Sequence, residues 1–338
     1  MRDRYPFIVL IVFIGVLLIP LRTLELNPNA IEETFYPRSR LITWTSNLRL
    51  AIGDRVFRKV LVGEGNWLIY TAEGETDDYQ KMDLFADEEL ADFQQHLDSL
   101  SARYAAQGIT LLVIIAPSKN TIYPDRVPEQ IPVIGSESRL DQIISYLHAN
   151  GQNQLIDLRS TLIAAKADHD VYYATDSHWN DYGVYIAYSA ILSELNKNYP
   201  NLVARPESDF EVTVRSPEPL DLSTIIGATW LPESKIQFVP QFDLRATYKN
   251  INVGGRRLMF SYNPDVSLPK LILYYDSFFF RVIPFLGEHF HNGFYIQNYT
   301  GGGLWNLSWV DEQKPDVVII EFSERYIRDL PLFIDPAR

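Results

Sequence analysis

The apolar residues of this chain change period repeatedly, and each change marks an element. Ile109 to Ala116, Leu271 to Tyr275 and Val317 to Phe322 are nearly unbroken apolar runs. Runs of this length without a polar face read as strands covered on both sides. Between them the period is helical. Leu90, Phe93, Leu97 and Leu100 follow Asp87, a residue suited to cap a helix, and Gly108 closes the segment. Leu140, Ile143, Ile144 and Leu147 mark a second helix ending near Gly151, Tyr182 to Leu195 a third, and Phe278 to Phe290 a fourth. Shorter strands are expected at 155–158 and 294–299, and a further helix at 304–313 after the turn Gly301-Gly302-Gly303. Two short apolar runs within Val60 to Tyr70, around a glycine-containing turn, predict a hairpin. Strand–helix alternation with fully apolar strands predicts an α/β fold, a mostly parallel sheet between helical layers. Alternation such as Phe210 to Val214 predicts a β-rich insertion near 200–269.

The N-terminus bears on location. Arg2 and Arg4 precede an uncharged run from Tyr5 to Leu21 with no small-x-small cleavage site after it. The pattern predicts an uncleaved signal anchor over residues 1–24, a juxtamembrane lead-in at 25–58 and an extracytoplasmic body at 59–338. A cleaved signal peptide is the alternative, and it leaves the body in the same compartment. With no cysteine in the chain, disulfides, thiolate zinc sites and a cysteine nucleophile are excluded. The net charge of −13 and the lack of a basic stripe argue against nucleic acid. They also argue for a neutral or weakly charged substrate polymer over a strongly anionic one.

The candidate chemistry lies in two segments. In Thr175-Asp176-Ser177-His178-Trp179, Asp176 stands two residues before His178, and in extended chain such residues point the same way. Asp176 can then accept from His178 Nδ1 and leave Nε2 free as a base. The plainer reading is a surface loop in which Asp176 caps the next helix. Ser277 falls where a buried strand breaks toward a helix, a place that can hold a nucleophilic hydroxyl or a simple helix cap. His289 and His291 read as helix-terminus residues. Backbone N–H groups at Ser277 or Phe278 are natural oxyanion donors, with Gly301 and Gly302 as further turn candidates. Trp179, Tyr275 and Asn298 are candidates for contacting substrate, and Lys119 is either a structural loop cation or a residue that orients substrate. No third ligand stands at a recognisable metal spacing, and the chemistry needs no metal or cofactor.

Taken in order, these pieces resemble a known family. The set runs through Gly65-Asn66-Trp67-Leu68-Ile69-Tyr70, Ala116-Pro117-Ser118-Lys119-Asn120, Thr175-Asp176-Ser177-His178-Trp179-Asn180, Asp276-Ser277-Phe278 and Pro315-Asp316-Val317. It is similar to the SGNH-hydrolase-like domain of alginate O-acetyltransferases of the AlgX/AlgJ type and to the related bacterial Asp-His-His-Trp (DHHW) proteins. The resemblance covers about Val60 to Arg325. It implies a three-layer α/β/α domain and a triad of Ser277 as nucleophile, His178 as base and Asp176 as orienter. It further implies a polysaccharide substrate and a multi-spanning membrane-bound O-acyltransferase as acetyl donor. The expected protein is a single-pass, extracytoplasmic O-acetyltransferase of the bacterial inner membrane. An acetylesterase with the same triad and a catalytically silent polysaccharide-binding protein are the alternatives. One position departs from the family pattern: Tyr275 stands where Gly often precedes Asp-Ser, and a bulky residue there is expected to reshape the turn.

Overall fold

The structure, a computed structural model, describes residues 38–150, 155–253, 256–297 and 308–334. The described residues begin with helix α1 (Arg38–Ala51), then the hairpin β1 (Val60–Val62) and β2 (Leu68–Tyr70), paired Val60 to Tyr70. Helix α2 (Asp87–Ala105) follows, then β3 (Thr110–Ala116), α3 (Arg139–Ala149), β4 (Leu155–Asp157), α4 (Arg159–Ala165) and α5 (Asp181–Asn196). Next come β5 (Phe210–Val214), α6 (Asp221–Ile225), β6 (Ile236–Pro240), β7 (Thr247–Val253) and β8 (Arg256–Tyr262). The chain then forms β9 (Lys270–Tyr275), α7 (Ile283–Gly287), β10 (Asn292–Gln297), α8 (Ser308–Gln313) and β11 (Val317–Ser323).

Seven strands form the central sheet in the order β4-β3-β11-β9-β10-β8-β7. The first five are mutually parallel, and β8 and β7 extend the sheet antiparallel beyond β10. Alternate strand residues enter opposite cores. Leu112, Ile114, Leu271, Leu273 and Ile319 pack against α4, α5 and α7. Val113, Ile115, Ile272, Tyr274, Val318 and Ile320 pack against α2, α3 and α8. The inner strands β3, β11, β9 and β10 are therefore wetted on neither face, which is why they lack polar alternation, whereas β7 at the edge is exposed and largely polar. Each such fully buried aliphatic or aromatic side chain contributes roughly 2 kcal/mol.

Several boundaries differ from the pattern, each for a local reason. Ala86, not Asp87, is the cap of α2, and Glu89 reaches back to the Ala86 N–H at 2.8 Å. The helix expected over 278–290 is broken into a 3₁₀ turn at Phe279–Arg281 and the short α7. Pro284 stands in the first turn of α7, where its missing N–H is tolerated, so the regular helix begins there. Of the four strands between 200 and 269, β5 and β6 pair with each other, whereas β7 and β8 join the main sheet. Residues 151–154, 254–255 and 298–307 lie outside the described residues, and with them Asn298 and Gly301 to Gly303. So does the expected anchor at 1–24; no described helix is long and apolar enough to cross a membrane.

Candidate active site

Ser277 follows the carboxyl end of β9, in a turn built around Asp276. The Asp276 N–H donates to Glu321 at 2.8 Å, and its carboxylate accepts the Ser323 N–H at 2.8 Å and the Phe278 N–H at 2.9 Å. Adjacent strands β9 and β11 thus lock the turn from below. Glu321 is almost fully enclosed; burial, and then the nearby Asp276, push its pKa well up. No residue of the turn has a positive φ, so it needs no glycine. Tyr275 accordingly does not distort it. As the last residue of β9 it turns into the same core as Leu271 and Leu273, 1% exposed, which leaves it no access to substrate.

The Asp-His loop is held from three sides. Lys119, just past the end of β3, is 2% exposed and donates to the carbonyls of Tyr173 at 3.2 Å, Ala174 at 3.1 Å and Asp176 at 2.6 Å. Burial lowers its pKa to about 8 against the pull of Asp221, Asp176 and Glu233. Glu233 accepts the N–H groups of Ala174 and Thr175 at 2.8 and 2.7 Å. Asn180 caps α5, accepting the Tyr182 and Gly183 N–H groups at 2.9 and 3.2 Å. Gly183 lets that helix approach the loop: a Cβ there would lie 2.4 Å from the Val171 carbonyl.

These two segments bring Asp176, His178 and Ser277 together. His178 Nδ1 lies 2.7 Å from Asp176 Oδ1, and Nε2 lies 2.9 Å from Ser277 Oγ. The acceptor at Nδ1 fixes the proton there, so Nε2 is the free base facing the hydroxyl. Burial raises the Asp176 pKa, but the hydrogen bond and charge of His178 outweigh it, leaving the carboxyl at about 2. Two further contacts tie the segments. Trp179 Nε1 donates to the Phe278 carbonyl at 2.9 Å, and Arg281 Nε donates to Asp181 at 2.8 Å.

The remaining candidates have other roles. Trp179 is fully buried and braces the serine turn, and Lys119 is a clamp for the loop; neither reaches substrate space. The Phe278 N–H is taken by Asp276 and is not a free oxyanion donor. The Ser277 N–H has no partner among the described residues, and Ser277 itself is exposed. His289 is enclosed within hydrogen-bond distance of Tyr188, at 2.6 Å from its hydroxyl. A residue absent from the motif reading is Asp221. Its carboxylate accepts the Ser177 N–H at 2.8 Å and the Ser177 hydroxyl at 2.5 Å, and Oδ2 stands 3.6 Å from His178 Nδ1. Burial, and then the charge of Asp176, raises its pKa. Asp176, His178 and Asp221 place ligand-type atoms within 4.8 Å of one another, but hydrogen bonds already engage them.

The sequence matches the family model described as "SGNH hydrolase-like domain, acetyltransferase AlgX" over residues 60–262. The chain belongs to this family. AlgX-type members among its relatives include a protein described as "Probable alginate O-acetylase AlgJ" from Azotobacter vinelandii. It is 29% identical over 127 residues, covering 38% of this chain and 31% of the relative. A second protein of that description, from Pseudomonas syringae pv. tomato, is 28% identical over 199 residues, covering 56% of this chain and 47% of the relative. The chain therefore spans between about a third and a half of the length of these two relatives. In fold it is similar to Bacillus cereus PatB1, with a TM-score of 0.61 at 15% identity, covering 81% of this chain and 99% of that one. The chain thus has an SGNH-like α/β architecture with a mostly parallel central sheet.

Proposed function

We propose that this protein is an O-acetyltransferase acting outside the cytoplasm on hydroxyls of a cell-surface or secreted polysaccharide. The observation that carries the reading is His178, within hydrogen-bond distance of Asp176 on one side and Ser277 on the other. Family membership and the descriptions of the AlgJ relatives support the acetyl group and a polysaccharide acceptor. The net charge of −13 favours a neutral or weakly charged glycan.

The reaction divides into two displacements. Ser277 Oγ attacks the acetyl carbonyl of the donor while its proton passes to His178 Nε2. The donor's leaving group departs with that proton, and acetyl-Ser277 remains. A sugar hydroxyl then gives its proton to Nε2 and attacks the acetyl carbon. Ser277 Oγ leaves and recovers the proton, restoring the enzyme. Asp176, ionised at any working pH, stabilises the imidazolium in both halves. The unpartnered Ser277 N–H is suited to the oxyanion. In this reading the apolar run Tyr5–Leu21 anchors the protein, and a multi-spanning membrane-bound O-acyltransferase supplies the acetyl group across the bilayer.

Water in place of the sugar hydroxyl turns the same steps into ester hydrolysis, and the exposure of Ser277 favours some of it. A chromogenic acetyl ester, given to the full chain with and without neutral oligosaccharide, separates the readings. Acetylated sugar that requires Ser277 is the expected result. Ser277→Ala is expected to lower turnover by roughly 10³-fold or more, with an acetyl adduct on Ser277 in the parent by intact mass. Ester cleavage without sugar acetylation would leave an esterase. Turnover that survives Ser277→Ala would end the proposal.

A further inference from the structure

Helix α1 presents two faces of different use. Its inner face docks on the body: Ser46 is buried and donates to the Ile226 carbonyl, and Ile42 packs where a Cβ on Gly227 would come within 2.7 Å. The opposite face is apolar and in water. Leu41 is 47% exposed, Trp44 63%, Leu48 49% and, just past the helix end, Ile52 73%. Positions 41, 44, 48 and 52 recur at helical spacing, so they form one stripe. A helix packed on a soluble body ordinarily turns polar residues outward on this side.

The charge around the stripe is also out of keeping with the chain. Arg38, Arg40, Arg49, Arg55, Arg58 and Lys59 stand against the lone acid Asp54 between residues 38 and 59, in a chain whose net charge is −13. Arg49 is paired with Asp54, whereas Arg55, Arg58 and Lys59 are exposed. An aliphatic stripe with a tryptophan, flanked by cations, fits the boundary between acyl chains and anionic headgroups. The apolar run Tyr5–Leu21 lies just upstream in sequence.

We infer that α1 is an interfacial helix that lies along an anionic bilayer surface, its stripe of Leu41, Trp44, Leu48 and Ile52 in the headgroup boundary. The inference is independent of acetyl transfer; it concerns how the domain is held. It also has a geometric consequence. Ile226 and Gly227, on which α1 rests, follow α6, and the first residue of α6 is Asp221, beside His178. One short helix and one helix diameter, together roughly 20 Å, then separate the reacting groups from the lipid.

Because the chain has no cysteine, Leu48→Cys gives a single labelling point for an environment-sensitive fluorophore. The full chain, so labelled, is placed in vesicles of phosphatidylcholine alone or with about a third phosphatidylglycerol. Expected are a blue shift and protection from iodide in the anionic vesicles. Both weaken at about 0.5 M salt and disappear when Arg55, Arg58 and Lys59 are changed to Glu. A label at Val266→Cys, 80% exposed at a distant site, stays open to iodide throughout. An unchanged melting temperature of Leu48→Cys checks that the fold is intact. A label at 48 open to iodide in both vesicles overturns the inference. So does protection that ignores both lipid charge and salt, which would mean cover by a second copy, by the N-terminal segment or by another protein. Vesicle attachment through Tyr5–Leu21 alone leaves the label in water, so the two modes of attachment are told apart.

Discussion

Behind His178 stand two carboxylates with different duties. Asp176 accepts the hydrogen bond of His178 Nδ1–H, N to O 2.7 Å, while Asp221 lies 3.6 Å from the same nitrogen and spends its oxygens on Ser177. Burial raises both pKa values, but only in Asp176 do the bond and charge of His178 reverse the shift, so Asp176 is the carboxylate more tightly coupled to the imidazole. Asp176→Asn is therefore expected to reduce kcat by roughly 10³–10⁴-fold, through the wrong tautomer. Asp221→Asn, which keeps an acceptor for the Ser177 N–H, should cost roughly tenfold, the size of a charge lost beside the imidazolium. Ester turnover of the two variants is the measurement, and a reversed order would make Asp221 the orienter. Asp176 and His178 were legible because two-residue spacing in extended chain is a local fact, and Ser277 because a strand end is. Asp221 was not legible: it reaches the site through the insertion, and nothing in Asp221-Leu222-Ser223 points to His178. The fates of Lys119, Trp179 and Phe278 were hidden for a related reason. Whether a cation, an indole or an amide is free depends on distant partners, here three loop carbonyls, the Phe278 carbonyl and Asp276.

At the level of elements, the Asp-His segment is a loop that behaves as a fixed part because its backbone is satisfied by neighbours. Lys119 takes three of its carbonyls and Glu233 two of its amides. Lys119→Met would leave the Tyr173 and Asp176 carbonyls without that donor, while Ala174 keeps the Leu68 N–H, a loss of roughly 2 kcal/mol. Faster hydrogen exchange at Ala174 and Thr175 and a lowered Tm are the expected outcomes; an unchanged exchange pattern would show that the clamp is redundant. The apolar strands β3, β9 and β11 could be read from composition alone, since both faces are dry. The break between Ser277 and α7 follows from Pro284, whose effect the apolar spacing of 278–290 conceals. The pairing of β8 with β10 is a contact across the chain and leaves no mark in the local pattern.

On the scale of the whole molecule, acid stability depends in part on a buried histidine outside the triad. His289 is 9% exposed, and burial, then Arg205, lowers its pKa from 6.5 to about 4. The folded value lies below the unfolded one, so as pH falls the unfolded chain takes up the proton first. Stability is then lost between about pH 6.5 and 4, by roughly 3 kcal/mol. Melting curves across that window should fall steeply for the parent and more gently for His289→Gln, which keeps an acceptor for Tyr188. Parallel curves would assign the acid sensitivity elsewhere. The sheet layers themselves were foreseeable, whereas the two ties that join the reacting segments, Trp179 to the Phe278 carbonyl and Arg281 to Asp181, were not. Those ties carry a consequence for control. These contacts hold the serine and histidine segments in register, so the proposed reaction meets its groups already aligned. In the proposed reaction, what throttles turnover is then traffic: the arrival of activated acyl groups and of polymer at a pocket that is already assembled.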